Sequence, residues 1–199
     1  MNSTPIQLSE ENPDRSLAYP PGGLLIWIII FLELITFGLG ILALFYYGRQ
    51  EPEAFREGTA RLNRSMGTLN TIILLSSGYL MAKAVHYLKA GQSKKSFQWL
   101  LGTLGGGVLF TLIKGLEYKE KLAHEFSLGG NMFETLYWLM TGFHLIHVWV
   151  GMVILFVVAY PLRKSKAKIN ELDLEAGGAF WHMCDLIWLI LFPALYLLY

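Results

Sequence analysis

The 199-residue chain contains a single cysteine, Cys184, and few charged residues. One cysteine cannot form an internal disulfide framework, and it excludes zinc or iron–sulfur sites built on several cysteines. Charged residues make up 16% of the chain and hydrophobic residues 54%, whereas soluble domains carry about 25% charged residues. This composition favours a membrane protein. The formal net charge of +1 implies no polyanionic partner, so we expect no binding to nucleic acid.

The start of the chain lacks the features of a signal peptide. A signal peptide begins with basic residues and ends at a small-residue cleavage site, but residues 1–21 are polar and contain Glu10, Glu11 and Asp14. We therefore predict a polar N-terminal tail over residues 1–21 and a membrane domain over residues 22–199.

Five long apolar stretches follow this tail. A transmembrane helix needs about 20 mostly apolar residues, which predicts helices at about 22–47, 68–87, 96–118, 133–160 and 179–199. The connecting segments hold nearly all the charge and are too short for a soluble domain. The predicted fold class is all-α, a polytopic membrane protein with a bundle of five transmembrane helices.

Basic residues in the connecting segments bear on the orientation of this bundle. If the N-terminus is cytoplasmic, that side holds eight of them: Arg15, Lys89, Lys94, Lys95, Arg163, Lys164, Lys166 and Lys168. The other side holds six: Arg49, Arg56, Arg61, Arg64, Lys119 and Lys121. The positive-inside rule then predicts a cytoplasmic N-terminus and a periplasmic C-terminus in a bacterial inner membrane.

Small residues cluster in the second and third predicted spans. They are Ser76, Ser77 and Gly78 in the second span and Gly102, Gly105, Gly106 and Gly107 in the third. Small side chains allow helix backbones to approach closely, so we predict that these stretches are helix-packing surfaces.

One acidic residue, Glu33, lies in the middle of the first span. It stands about ten residues into the span, which corresponds to about 15 Å of helix. A charged side chain at such depth costs about 2.5–3.5 kcal/mol on insertion scales, so burial favours the neutral acid. Two interpretations remain open: a proton-exchanging carboxyl or lipid-linked switch, and a structural hydrogen-bonding residue that joins two helices.

Polar residues also share single helical faces in the fourth and fifth spans. At 100° per residue, His144, His147 and Gly151 fall within about 60° of one another, with Thr141 beside them. In the fifth span one stripe contains Trp181, Asp185, Trp188 and Phe192.

His182 lies three residues before Asp185, within side-chain reach on a helix. A His–Asp pair inside a membrane is explained by mutual satisfaction of two costly polar groups. Near the predicted span ends, hydration is available to three further polar residues, Asn70, Glu117 and Glu175. There we also expect Lys83 and Lys114 to extend their amines to the interface.

Histidines on three predicted helices raise the question of haem. His86, His144, His147 and His182 offer axial ligands for one haem b, so a haem-b membrane anchor is one hypothesis. The five histidines of the chain are too few for a dinuclear oxygen-reducing site. Another hypothesis is a small transporter that uses Glu33 for proton coupling, but we find no inverted repeat or matched pair of broken helices.

Four sequence signatures occur in order along the chain. They are TLNTIILLSSGYLMAKAVHYLKAG from residue 68, FTLIKGLEY from 110, TGFHLIHVWVGM from 141 and LEAGGAFWHMCDLIWLILF from 174. Together they resemble subunit III of haem–copper terminal oxidases. The resemblance covers about residues 24–199 and looks like a short, five-helix form of that family.

The resemblance implies roles for individual positions. Glu33, in FLELITFG, falls where the family has its carbodiimide-reactive intramembrane carboxyl. The other matched positions imply a structural polar network: Asn70, Glu117, Thr141, His144, His147, Glu175, His182 and Asp185. Trp181 and Trp188 match the packing tryptophans of the closing motif.

The resemblance also implies a non-catalytic subunit in aerobic respiratory electron transport. Such a subunit would pack against the catalytic haem–copper subunit I and subunit II, bind phospholipid and support proton uptake. Haem and copper are then expected in partner subunits, with no cofactor or metal in this chain. FLELITFG, WHMCDLIWLILFPALYLL and the short length also resemble a branch associated with nitric oxide reductase, so an accessory subunit of that enzyme is the alternative.

Overall fold

The computed structural model describes residues 22–124, 126, 128–162 and 171–199. Six helices occupy them: α1 (Leu24–Gln50), α2 (Pro52–Ala60), α3 (Arg64–Lys89), α4 (Ser93–Ala123), α5 (Met132–Leu162) and α6 (Glu171–Tyr196). All except α2 are long and apolar enough to cross a membrane, and the described residues contain no strand. The predicted all-α fold with five membrane-spanning helices is therefore confirmed. The predicted tail over 1–21 and the basic residues within 163–170 lie outside the described residues.

Four of the long helices form a four-sided bundle. α3 packs against α4 and α6, and α5 packs against the same two helices. α1 lies outside this square, where it packs against α5 and α6. Within the chain, 61% of the apolar stretch of α6 is buried, against 17% of that of α1. α6 is thus the central helix, and most of the α1 surface is left for lipid or for another protein.

The helices extend beyond the predicted apolar spans because polar residues continue them. α3 begins at Arg64, since the side chain of Asn63 accepts a hydrogen bond of 3.1 Å from the amide of Met66 and caps the first turn. α6 begins with a turn that contains Glu171 and Asp173, and acidic residues at a helix N-terminus interact favourably with its dipole. Hydropathy detects the apolar centre of such a helix and not these ends.

The short helix α2 lies in the charged segment after α1 and is not predicted from the sequence. Phe55 is fully buried, with its ring centroid 5.2 Å from those of Phe133 and Tyr199. The Thr59 hydroxyl donates to the Leu195 carbonyl at 3.3 Å. α2 therefore covers one end of the bundle, which we call the α2 side. A segment with one large apolar anchor has no helical period that a pattern can detect.

The small residues of α3 and α4 form a close helix contact on one face of each helix. A Cβ atom added to Gly106 would lie 2.5 Å from the Cβ of Ser77. Ser76 and Gly105, by contrast, are exposed, and a Cβ atom added to Gly105 would meet nothing within 4 Å. The prediction of a packing surface is therefore wrong for Ser76 and Gly105, because neighbouring residues on a helix point about 100° apart.

We predict that Gly106→Ala destabilises the detergent-solubilised chain by about 1–3 kcal/mol, since the added methyl group overpacks the α3–α4 contact. Gly105→Ala is the matched control and should be neutral or stabilising by up to about 1 kcal/mol, because alanine has the higher helix propensity. Thermal unfolding followed by circular dichroism compares the two variants with the parent chain. Equal shifts in the two variants would contradict the close contact at Gly106.

Candidate functional site

The carboxyl group of Glu33 meets His147 between α1 and α5. Oε2 of Glu33 lies 3.1 Å from Nε2 of His147, which is within ion-pair distance but without the alignment of a hydrogen bond. The two side chains are 22% and 11% exposed, so the pair lies just beneath the surface of the bundle. The sequence places both residues inside the membrane, but depth alone does not identify the facing helix, and the pairing is not predicted.

The contact of the second ring nitrogen of His147 shows which nitrogen carries a hydrogen. Nδ1 lies 2.8 Å from the carbonyl oxygen of Phe143, and because a carbonyl oxygen only accepts, we assign a hydrogen to Nδ1. Nε2 then either accepts a proton from Glu33 or carries that proton as part of an imidazolium. A neutral acid beside a neutral imidazole has the same net charge as a carboxylate beside an imidazolium. One proton can therefore move between the two side chains without charging the site.

His144 occupies a different environment, inside the four-helix square. It is fully buried, and its ring stacks on Trp188 and meets Phe110 edge-on, at centroid distances of 5.1 Å and 5.7 Å. Neither ring nitrogen has a hydrogen-bond partner among the described residues. His144 is thus enclosed by aromatic rings, whereas His147 on the same helix meets an acid.

The sequence offers His86, His144, His147 and His182 as possible ligands for one haem. Within the described parts of the chain, no three His, Cys, Asp or Glu side chains converge as metal ligands would. The assignment of haem and copper to partner subunits stays a prediction.

A buried cluster of four side chains joins α4, α5 and α6 near the α2 side. Nζ of Lys114 lies 3.0 Å from Oε2 of Glu117 and donates to the hydroxyls of Tyr137 at 3.1 Å and Tyr196 at 2.7 Å. Both hydroxyls donate to Oε1 of Glu117, at 2.9 Å and 2.6 Å. All four side chains are fully buried. The three hydrogens of the ammonium group each have an acceptor, so the cluster is closed and satisfied.

Lys114 and Glu117 therefore depart from the sequence-based expectation. The prediction that Lys114 reaches the interface is wrong, and so is the expectation of hydration at Glu117, because both side chains are 0% exposed. α4 continues beyond the predicted span end to Ala123. The rings that surround the amine, with centroids 4.9–5.3 Å from Nζ, belong to Tyr118, Tyr137, Trp188 and Tyr196.

A second charged group covers this cluster on the α2 side. Arg61, just after α2, lies 3.0 Å from Oε1 of Glu134 at the start of α5. Its guanidinium also donates to the carbonyl of His124 at 2.6 Å, and Lys121 of α4 donates to the carbonyl of Arg61. These contacts tie α2 to α4 and α5. The sequence shows Arg61 and Glu134 only as charges near span ends, which gives no sign that they pair.

His182 and Asp185 form a polar pair at the contact between α6 and α3. Nδ1 of His182 lies 3.4 Å from Oδ2 of Asp185. The carboxyl group reaches this position because Gly78 of α3 has no side chain, and a Cβ atom there would collide with Oδ2. Oδ1 of Asp185 is buried and has no hydrogen-bond partner within the described residues. The pair expected from the sequence spacing is thus present but incompletely satisfied.

The tryptophans on either side of Asp185 fasten α6 to α3. Nε1 of Trp181 donates to Oγ of Ser77, and Nε1 of Trp188 donates to Oγ1 of Thr71, both at 3.0 Å. Each indole is buried together with its only polar atom, which therefore needs such an acceptor.

The remaining polar positions are distributed over the bundle. Thr141 accepts from the Tyr118 hydroxyl at 2.9 Å. Glu175 forms an ion pair of 2.6 Å with Lys89 at the end of the bundle away from α2. Asn70 is fully buried, and neither of its amide atoms has a partner in the described part of the chain, so the expectation of hydration at Asn70 is wrong. The polar positions named from the sequence thus belong to several separate groups, and their shared structural role stays a prediction.

Comparison with known proteins identifies the family. A sequence model of the family "Cytochrome c oxidase subunit III" matches residues 57–198. The chain belongs to this family. A cytochrome c oxidase subunit 3 from Synechocystis sp. is 26% identical, over 98% of this chain and 88% of its own length. Proteins of the same name from Pylaiella littoralis and Triticum aestivum are each 34% identical over 64% of this chain.

The matches cover different parts of this chain and different fractions of the relatives. The chain spans about half the length of two of these relatives, 46% of the Pylaiella littoralis protein and 48% of the Triticum aestivum protein. The family match includes the Lys114 cluster and the His182–Asp185 pair but begins after Glu33. The similarity to the Synechocystis protein extends over α1 as well, since it covers 98% of the chain. The resemblance to the family is confirmed, while the roles carried over to individual residues stay predictions.

We predict that the buried ion pair is required for the stability of this subunit III bundle. Lys114→Met leaves Glu117 without its charged partner and should destabilise the detergent-solubilised chain by about 3–5 kcal/mol. The double variant Lys114→Met/Glu117→Gln should be more stable than Lys114→Met, because it removes both charges. The control is Lys83→Met, which removes a half-buried lysine over the Tyr79 ring and should cost less than about 1 kcal/mol.

Chemical unfolding monitored by tryptophan fluorescence measures these differences. A Lys114→Met chain as stable as the Lys83→Met chain would contradict the structural role of the pair.

Proposed function

We propose that this chain is a non-catalytic accessory subunit, of the subunit III type, in a haem–copper terminal oxidase of aerobic respiratory electron transport. The observation that carries the proposal is membership of the cytochrome c oxidase subunit III family over residues 57–198. On this proposal catalysis, haem and copper belong to partner subunits, which include the catalytic subunit I and subunit II. The complex lies in a bacterial inner membrane, with the N-terminus of this chain in the cytoplasm.

The chain's own contribution, on this proposal, is to proton uptake and to lipid binding beside the catalytic subunit. The Glu33–His147 pair supports the first part, because one proton can occupy either atom of a 3.1 Å contact at constant net charge. Glu33 is the more exposed member, so a proton from outside the bundle reaches it before His147. The apolar and largely exposed surface of α1 around Glu33 supports phospholipid binding.

Purification of the tagged chain from native membranes tests the proposal. We expect a Soret band and copper in the recovered complex, oxygen consumption by that complex, and no haem absorption in the isolated chain. A Soret band that stays with the isolated chain would favour the haem-b anchor instead. Reduction of nitric oxide without oxygen consumption would assign the partner to the nitric oxide reductase branch.

Labelling with a hydrophobic carbodiimide tests the state of Glu33. Such a reagent needs the protonated acid and partitions into the bilayer, so we predict modification of Glu33 in the intact complex. Glu53 and Glu57 of the exposed α2 surface should not react, because they face water, outside the apolar region in which the reagent concentrates. Glu117 is the buried control: it is paired with Lys114 and 0% exposed, so it should also stay unmodified.

Peptide mapping by mass spectrometry reads the result. Labelling of α2 carboxylates with none at Glu33 would rule out a neutral, membrane-facing Glu33.

Substitution of Glu33 separates its two interpretations. The amide of Glu33→Gln has the shape of the neutral acid beside His147 but cannot release a proton, so we predict a normally assembled complex with lower turnover or faster inactivation during turnover. Glu33→Leu leaves His147 without its partner. A buried polar group in that state costs about 1–3 kcal/mol of stability, so this variant should also reduce assembly. Oxygen consumption and subunit content are measured on the same preparations. Full activity and lifetime in Glu33→Gln would leave Glu33 with a structural role alone.

A further inference from the structure

A groove on the outer surface of the bundle, between α3 and α6, contains a polar pair at hydrocarbon depth. Its volume is about 340 Å³. The apolar side chains of Leu75 and Leu186 and the aromatic ring of Tyr79 line it together with His182 and Asp185. The imidazole of His182 is 49% exposed. This groove therefore presents the His182 ring among mainly apolar side chains, with Nζ of Lys83 5.5 Å from the ring centroid of Tyr79 at its edge.

The position of His182 along α6 sets its depth. The ion pair between Glu175 and Lys89, in which Lys89 is 54% exposed, marks the membrane interface at that end of the bundle. His182 follows Glu175 by seven residues, which places it about 10 Å further along the helix axis. Water is scarce at this depth, so an exposed polar group there requires a hydrogen-bond partner from outside the chain.

The geometry of the pair determines what kind of partner His182 needs. Oδ1 of Asp185 has no partner within the described residues, so a proton on Oδ1 would be unsatisfied, and we assign the shared proton to the space between Oδ2 and Nδ1. The hydrocarbon region favours an electrically neutral pair. Neutrality is met by an acid beside a neutral imidazole or by a carboxylate beside an imidazolium. In both cases Nε2, on the far side of the ring, carries a hydrogen and is a donor.

We propose that this groove is the docking site for a transmembrane helix of a partner subunit that places an oxygen-bearing side chain against Nε2–H of His182. The inference rests on the proposed function, because membership of a complex supplies such a helix. An exposed small residue, Ala82, lies in the same groove and allows a second helix backbone to approach. Phospholipid fits less well, because its phosphate and ester oxygens lie at the interface and its tails contain no acceptor.

Site-specific cross-linking in the intact complex identifies the occupant. Benzoylphenylalanine is introduced at Tyr79 and at Leu186, which are 58% and 45% exposed. The control position is Leu112 on α4, which is 60% exposed and lies away from the α3–α6 contact. After irradiation in native membranes, adducts are mapped by mass spectrometry.

We expect Tyr79 and Leu186 to cross-link to one transmembrane segment of another subunit, within one helical turn of a Ser, Thr, Asn, Gln, Asp or Glu residue. Leu112 should not reach that segment. Adducts to phospholipid, to a second copy of this chain, or to a segment without an oxygen-bearing side chain at that depth would each overturn the proposal.

A pair of substitutions tests the hydrogen bond itself. His182→Gln retains an N–H donor, whereas His182→Phe retains the ring and removes the donor. We expect His182→Phe to raise dissociation of the partner in detergent about threefold to tenfold, in line with hydrogen bonds between membrane helices, and His182→Gln to stay near the parent rate. Unfolding of the isolated chain checks that both variants are folded. Equal dissociation of the parent complex and both folded variants would overturn the proposal.

The outcomes also distinguish this inference from the proposed function. A complex without haem or copper, in which the groove still cross-links to a partner helix, would refute the proposed function and leave the docking site in place. A haem–copper complex in which the groove reaches only lipid would refute the docking site alone.

Discussion

A lysine and a glutamate enclosed in a membrane bundle must be satisfied by each other and by side chains from neighbouring helices. Lys114 uses its three hydrogens on Glu117, Tyr137 and Tyr196, and Glu117 accepts both tyrosine hydroxyls. The residues belong to α4, α5 and α6, so a rotation or a shift of any one helix breaks several of these bonds. The ion pair itself lies within α4, and the bonds of Tyr137 and Tyr196 connect it to α5 and α6. Because a buried polar group left without its partner costs about 1–3 kcal/mol, these bonds fix the depth and the rotation of the three helices relative to one another.

The position of α3 follows from α6. Once α6 is fixed by Tyr196, its stripe of Trp181, Asp185 and Trp188 points in a set direction, and α3 supplies the acceptors Ser77 and Thr71 at matching heights. Absence of a side chain at Gly78 accommodates the carboxyl group between them. α6 is therefore central in its hydrogen bonding as well as in its burial, since its side chains bond to both α3 and α4.

The sequence predicts features that depend on depth or on spacing within one helix. The five spans follow from apolar length, and the contact of His182 with Asp185 follows from their separation on α6. Pairs between helices are not predicted, as Glu33 with His147 and Lys114 with Tyr196 show, because hydropathy does not record which helix faces which. The error at Lys114 has the same origin. A lysine near a span end reaches water only if no other element covers that end of the bundle, and here α2 covers it.

The buried polar groups of this chain differ in whether all their donors and acceptors have hydrogen-bond partners. The Lys114 cluster has an acceptor for every ammonium hydrogen and is 0% exposed, which is what a purely structural group requires. Asn70 and His144 are unsatisfied in the described part of the chain, but they are fully enclosed and reach no surface. Glu33 and Asp185 each have an oxygen without a hydrogen-bond partner among the described residues, and each belongs to a pair that is partly exposed. An incomplete group at hydrocarbon depth is costly unless something from outside the chain completes it.

Glu33 and Asp185 stand on opposite flanks of α6, one beside α1 and α5 and the other beside α3. A helix docked against His182 would therefore leave the Glu33–His147 pair uncovered, so the flank proposed for binding the complex and the flank proposed for proton uptake are separate surfaces of the subunit.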